Sequence, residues 1–467
     1  MRRLLGTLAV GAILAACTTS SPSGVSPSPT SGVFTGTVAG AKYLIEVPIH
    51  WNGTLLLYSH GYVSPGSPET ASDSGDETTA TWLKGEGYAL AGTSYGKPGW
   101  ALEDAFKTQV ALLDDFARHL GKPRRTIAWG HSLGGIITAG LVQIHPERFD
   151  AALPMCGVLG GGIANWNGGL DESFIFKTLL APGGSLQLVH ITDPGANLNR
   201  ARQVLIAAQA TPAGRARLAL VAAAGDVPGW SNPTQPEPAA TDFVTIQANQ
   251  DEGLRADFAY SFAYRAELES RAGGNPSWNT GVDYAAILAR SAYGAEVRKL
   301  YADAGLSLDT DLAALAAAPR IGADPVAVDY LDRNITFNGR VPIPLLTLHT
   351  TGDGLVVVPN EAAYADVVRS AGDSANLRQL YTHRAGHCVF TPAEQITAFK
   401  VLFARLDTGR WDALATPDAL NQDATALGSQ YNGGTLPGRG FVAAAPAFAT
   451  YQPSSFPRPF DSRSKRP

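Results

Sequence analysis

The run Thr126-Ile127-Ala128-Trp129-Gly130-His131-Ser132-Leu133-Gly134-Gly135 constrains this chain more than any other stretch. A short apolar segment reads as a β-strand, residues 133–145 read as a helix, and Ser132 sits between them. Gly130 stands two before the serine and Gly134 two after. A hydroxyl at the apex of so tight a turn holds a strained backbone, and only small residues at those two places let strand and helix approach closely enough. The turn also aims the first N–H groups of the helix at whatever sits on the serine, where the helix dipole favours negative charge. By itself the pattern is weak: glycine fills 50 of 467 positions, so roughly 0.3 chance matches are expected. A Gly-rich strand-to-helix turn without chemistry is the plain alternative, and partners elsewhere in the chain decide between them.

The chain opens on a processing segment. Arg2 and Arg3 form a charged start, and residues 4–16 are apolar but too short to span a bilayer as a mature helix. The segment ends in Leu14-Ala15-Ala16-Cys17, which resembles the lipobox of bacterial lipoproteins. That resemblance implies cleavage before Cys17 and a diacylglycerol on its thiol; an ordinary secretory signal containing a cysteine is the alternative. Residues 18–31, rich in Ser, Thr and Pro, read as a flexible tether. The expectation is an extracytoplasmic protein anchored to a membrane by lipid rather than spanning it, since no later stretch is long and apolar enough to cross.

Composition narrows the rest. Hydrophobic residues make up 45% of the chain, ample for a large core, and the length suits one big domain with an insertion, or two domains. A net charge of −5 without basic runs argues against a nucleic-acid partner. Three cysteines are present; with Cys17 lipidated, Cys156 and Cys388 remain, and an exported compartment permits them to pair.

Strand and helix signals alternate along the first part. Residues 34–38, 43–47, 55–58 and 88–93 read as strands, with Asn52-Gly53 as a hairpin turn between apolar runs. Residues 78–85 and 102–120 read as helices, and residues 150–155 as the strand after the elbow helix. This alternation predicts a mostly parallel, doubly wound α/β sheet. About 180 residues then intervene before the next strong strand at residues 344–348, where such a sheet needs only one helix. The reading is a first core part over 32–158, a mainly helical cap over 159–340, a second core part over 341–410 and a tail over 411–467. Within the cap, residues 160–169 read as flexible and Gly-rich, with helices around 199–210, 258–271, 284–304 and 312–318. Trp166, Trp230, Phe258, Tyr260, Phe262, Tyr264 and Trp278 are candidates to line a pocket, though cap core is their commoner use. Residues 275–283 read as a loop over the site or a solvated turn. In the tail, Phe441, Phe448, Tyr451, Phe456 and Phe460 could anchor a wrapping segment.

Two groups stand where partners of Ser132 would be needed. Asp353 lies on the Gly352-Asp353-Gly354 turn after the strand at 343–350, where glycines on both sides free the backbone to aim a carboxylate. His387 lies in Arg384-Ala385-Gly386-His387-Cys388, after the last strand at 377–382; His383, four residues earlier, is its rival. The order Ser132, Asp353, His387 resembles that of the α/β hydrolases, and the resemblance runs over residues 34–408. It implies a serine nucleophile, a histidine base held by aspartate, and an oxyanion hole from the N–H groups of Leu133 and of Tyr62, which follows the His60-Gly61 pair. It implies no metal and no cofactor. The His387-Cys388 pair is similar to that of tannases and feruloyl esterases, in which this cysteine is bridged to one directly before the serine. Here His131 stands before Ser132, so that bridge cannot form; the expectation is that Cys388 pairs with Cys156 instead, pinning the His387 loop.

The implied activity is hydrolysis of a small or polymeric carboxylic ester. An exopeptidase, amidase or acyltransferase with the same triad is the second reading, which acidic cap residues such as Glu252, Glu267 or Glu269 would favour by holding an amine. A catalytically silent surface-binding module on the same fold is the third.

Overall fold

The computed structural model describes residues 31–436 and 440–465. The expected leader, Cys17 and the tether through residue 30 lie outside the described residues. The strands are β1 (Gly32–Val38), β2 (Ala41–Val47), β3 (Thr54–Ser59), β4 (Ala89–Thr93), β5 (Arg125–His131), β6 (Ala151–Met155), β7 (Leu345–Gly352) and β8 (Leu377–Ala385). The tail adds a hairpin of β9 (Gly433–Leu436) and β10 (Gly440–Ala443), and a two-residue strand, β11 (Phe448–Ala449). Among the described residues nine of these form one sheet, in the order β1-β2-β4-β3-β5-β6-β7-β8-β11. The strands from β4 through β8 in that order run parallel, whereas β1, β2 and β11 at the edges are antiparallel to their neighbours. Leu55-Leu56-Leu57-Tyr58 lacks alternation because it is covered on both sides: β3 is buried at every position, as are β4 and β6. This is the α/β-hydrolase fold that the residue order implied.

The helices of the first core part are α1 (Glu77–Gly85), α2 (Leu102–His119) and α3 (Leu133–Ile144). Between β6 and β7 come α4 (Gly162–Leu180), α5 (Pro194–Gln209), α6 (Pro212–Gly225), α7 (Phe243–Ala259), α8 (Arg265–Ala272), α9 (Tyr284–Arg290), α10 (Gly294–Asp303), α11 (Leu308–Ala317) and α12 (Pro325–Arg333). The last three are α13 (Pro359–Ala371), α14 (Pro392–Thr408) and α15 (Pro417–Ala426). Alternate residues of the strands enter two different cores. Leu55, Leu57, Ala128 and Ala152 join α2, α3 and α13, whereas Leu56, Ile127, Leu153 and Leu346 join α1, α14 and α15. The inserted helices build a third core of their own around Leu170, Phe176, Leu220, Phe258 and Phe262, but α12 and the start of α4 pack into the α2–α3 side.

Several sequence expectations need correction. Asn52-Gly53 does not turn a hairpin. β2 pairs with β4, and the Asn52 N–H and side-chain amide bind the carbonyls of Gly87 and Glu86, which carries the chain across to a central β3. Residues 160–169 are not a flexible loop: from Gly162 they are the start of the 19-residue α4, buried nearly all round, so its sequence carries no helical stripe. The helix expected over 258–271 is broken by a π-helical turn at Tyr260–Tyr264, and that over 284–304 at Ser291. Residues 275–279 are neither lid nor solvated: Asn275, Ser277 and Asn279 are fully buried, with Ser277 Oγ on the Trp166 carbonyl at 3.1 Å, whereas Thr280, Gly281 and Asp283 form an exposed turn. In the tail Phe448 and Phe460 are buried and Phe456 partly so, Tyr451 is exposed, and the side chain of Phe441 lies outside what the structure describes.

Candidate active site

The elbow comes from close packing. Ser132, between β5 and α3, has φ 58° and ψ −121°, and its N–H binds the Met155 carbonyl at 3.0 Å. A Cβ on Gly134 would lie 1.8 Å from the Ser59 carbonyl oxygen and one on Gly130 2.4 Å from it, so both positions require glycine. Gly61 lies over the serine, its own Cβ position 3.6 Å from that of Ser132. Leu133 is the first residue of α3, whose N–H has no partner within the helix, and Leu133 and Tyr62 line one cleft with Ser132.

Three side chains expected to meet do so. His387 Nε2 is 2.8 Å from Ser132 Oγ, and His387 Nδ1 is 2.7 Å from Asp353 Oδ2. Asp353 is 1% exposed, and its Oδ1 accepts from the N–H groups of Leu355 and Val356, both at 2.9 Å. Burial alone would raise its carboxyl, but the His387 charge and the hydrogen bonds from His349 and His387 outweigh that and hold it well below the usual carboxylate range. It is therefore a fixed anion facing the imidazole. The His387 loop is tied to the Asp353 strand: Gly386, at φ 97°, donates to the Gly352 carbonyl at 2.8 Å, and Thr350 Oγ1 donates to the Gly386 carbonyl at 2.7 Å. A disulfide between Cys156 and Cys388, with Cα atoms 5.4 Å apart, fastens the same loop to the end of β6. His383 sits apart, half exposed, against Glu237 at 3.1 Å.

His131 points away from the apex. Its Nδ1 meets Tyr58 Oη at 3.2 Å and its Nε2 the amide oxygen of Gln395 at 3.0 Å. Burial pushes its pKa down to about 4, so the ring is neutral and serves as a strut. A second histidine, His349, had no sequence signal at all, since it stands in an apolar strand. It is fully buried, with Nε2 on the Val356 carbonyl at 2.8 Å and 3.5 Å from Asp353, and Nδ1 on Glu361 at 3.1 Å. Burial would lower it, yet Asp353 and Glu361 together raise its pKa to about 10, making it a cation behind the aspartate.

The cleft in front of Ser132 is open to solvent. Tyr62, Trp100, Trp166, Tyr260 and Phe456 give it aromatic walls. Of the other expected aromatics, Phe258 and Phe262 are cap core, Trp278 packs on Phe460, Trp230 on His383, and Tyr264 behind Tyr62. Glu252, Glu267 and Glu269 lie outside the cleft: Glu267 accepts the Trp100 N–H and pairs with Arg271, Glu269 accepts the His190 N–H, and Glu252 takes the Ser231 hydroxyl. The acids that do line it are Asp171 and Glu172 of α4 and Asp257 of α7, with Arg458 reaching in from the tail. Nothing in the sequence marked these, because each sits in a helix without amphipathic pattern.

No protein-family model matches the chain. Among solved structures, feruloyl esterase B from Aspergillus oryzae is 14% identical with a TM-score of 0.39, over 80% of this chain and 79% of that one. An acylaminoacyl peptidase from Pyrococcus horikoshii is 10% identical with a TM-score of 0.37, over 81% of this chain, which spans 42% of that longer one. At such scores these likenesses carry no functional weight. Sequence comparison reaches further: an o-phthalyl amidase from Xanthobacter agilis is 30% identical over 419 residues, which are 83% of this chain and 89% of that protein. A likeness of that extent means that the chain belongs to the family of this amidase.

Proposed function

We propose that the chain is a serine hydrolase that cleaves carboxylic esters through an acyl-enzyme. The observation that carries this is the unbroken line of hydrogen bonds from Ser132 Oγ through His387 to a buried, ionised Asp353. His387 Nε2 takes the serine proton as Oγ attacks the carbonyl carbon, and Asp353 holds the Nδ1–H tautomer and stabilises the imidazolium. The N–H groups of Leu133 and Tyr62 receive the oxyanion, each such donor being worth about 10²–10³ in rate. The proton then passes from Nε2 to the leaving oxygen, and water, deprotonated by the same nitrogen, releases the acid. Cleavage of an amide by the same steps is the second reading, favoured by the kinship with an amidase. With the Leu14–Cys17 pattern, the proposal places the enzyme outside the cytoplasm, lipid-anchored through Cys17 and acting on small or polymeric substrates.

The test is hydrolysis of p-nitrophenyl esters from acetate to palmitate, with matched p-nitroanilides, by the protein and its Ser132→Ala variant. A fall of at least roughly 10³-fold in the variant is expected. Esters cleaved faster than anilides support the first reading, the reverse supports the second, and activity equal in both proteins would sink the mechanism. Loss of detergent-phase partitioning in Cys17→Ser checks the anchor.

A further inference from the structure

The three acids of the cleft are not alike. Asp171 is fully partnered: Arg458 Nη1 donates to its two oxygens at 3.0 and 2.8 Å, and the Tyr284 hydroxyl donates at 3.0 Å. Glu172, the next residue of α4, and Asp257 of α7 face each other instead. Glu172 is 7% exposed, and its Oε2 is buried with no donor on it among the described residues. Its Oε1 fills the space beside Gly225, where a Cβ would come within 1.6 Å of it. Asp257 accepts from Ser261 Oγ at 3.3 Å in the π-helical turn and shares a hydrogen bond with the Glu172 carboxyl. The nearby cation is Arg265, but its guanidinium donates to Ser277 Oγ and the Trp166 carbonyl, both at 2.9 Å. Burial, and next the charge of Asp257, push the Glu172 carboxyl well above its usual range, and burial raises the Asp257 carboxyl as well.

A buried acid pair without a direct cation costs stability unless something binds there. What would bind is dictated by the surroundings. The pair offers acceptor oxygens, and the aromatic side chains of Trp100, Trp166, Tyr62 and Tyr260 line the same cleft, aromatic rings being groups that attract cations. Arg458 offers no counter-site for an anion, since its charge is spent on Asp171. We propose that Glu172 and Asp257 form a subsite for an ammonium group carried by the substrate, with the ammonium N–H donors on the unpartnered Glu172 oxygen. This rests on the serine-hydrolase reading and deepens it: the substrate class is an ester or amide bearing a basic amine.

The test compares p-nitrophenyl 4-(aminomethyl)benzoate with the 4-methylbenzoate and the 4-carboxybenzoate in the wild type, Glu172→Gln and Asp257→Asn. The readout is the ratio of kcat/KM for the amine to that for the methyl compound, within one preparation, so a general loss of activity cancels. A ratio of about ten or more in the wild type, as one charge-assisted hydrogen bond provides, and a fall towards one in the variants are expected. A wild-type ratio near one, a ratio unmoved by both substitutions, or preference for the carboxylate would overturn the subsite. Should the variants not fold, calorimetry of benzylammonium against benzyl alcohol on Ser132→Ala decides, and equal affinity for the two refutes the proposal. That titration needs no turnover, so it separates failure of the subsite from failure of the hydrolase reading.

Discussion

Removing the Cys156–Cys388 bridge isolates two effects, one on the unfolded chain and one on the site. The bridge spans a sequence separation of 232, for which the loop-closure relation gives about 5 kcal/mol of unfolded-state entropy. A chain of 467 residues has an unfolding entropy near about 1 kcal/mol/K at roughly 2.1 cal/mol/K per residue, so that loss shifts the thermal midpoint by roughly 5 °C. Alanine is the right replacement at both ends: Cys156 is fully buried, and a serine there would bring an unpartnered hydroxyl. Both cysteines have positive φ, 43° and 54°, so each alanine inherits the same backbone and adds no new strain of its own. In the site, the His387 loop would keep its two ties to β7 but lose its tie to β6. The expected kinetic signature is a fall in kcat with little change in KM. Scanning calorimetry of Cys156→Ala/Cys388→Ala and of reduced wild type, at one scan rate, should give the same lowered midpoint. A shift under about 1 °C in both would refute the loop-closure argument.

Other expectations follow from single contacts. Asp353→Asn removes the anion that fixes the His387 tautomer, and kcat should fall about 10³–10⁴-fold, as judged by ester turnover. His383→Ala should leave turnover nearly intact where His387→Ala abolishes it; equal losses would exchange the two roles. The His349 pKa, about 10 when folded, lies above its value near 6.5 when unfolded. Its contribution to stability is therefore complete below about pH 6.5 and is lost as pH rises towards 10. Thermal midpoints measured from pH 6 to 10 should decline in the wild type and decline less in His349→Gln. Gly134→Ala places a methyl 1.8 Å from the Ser59 carbonyl oxygen, so the denaturation midpoint should drop by the equivalent of about 3 kcal/mol or more.

What the sequence made legible is what close packing dictates locally. The elbow was readable because a Cβ at Gly130 or Gly134 would lie 2.4 or 1.8 Å from the Ser59 carbonyl oxygen, a constraint that only glycine meets. The central strands were readable because burial on both faces leaves unbroken apolar runs. Asp353 and His387 were found by their places after strands. The Asn52-Gly53 turn misled because its dipeptide chemistry is that of a hairpin, whereas its actual partners, Glu86, Gly87 and Arg124, come from other loops. His349 and Glu361 were invisible for a different reason: a buried ion pair behind an active-site carboxylate depends on three elements meeting, and no local spacing encodes that.

The cap interior shows the same limit in its sharpest form. Asp171 and Glu172 are adjacent in sequence and on one helix, and burial raises both carboxyls, yet they end with different partners. The difference comes from Arg458, which is 287 residues away and neutralises the first while leaving the second facing Asp257. Arg458 is held in turn by the Trp278 carbonyl and stacks over that ring at 5.4 Å, so its position depends on the same buried 275–279 segment that braces Arg265. The tail is thus part of the cleft rather than an appendage, and the charge balance before the nucleophile is set jointly by α4, α7 and a segment beyond the last core helix. The proposed selectivity therefore rests on an arrangement assembled across three stretches of sequence, whereas the proposed triad rests on short turns that a reader of the sequence can find one at a time.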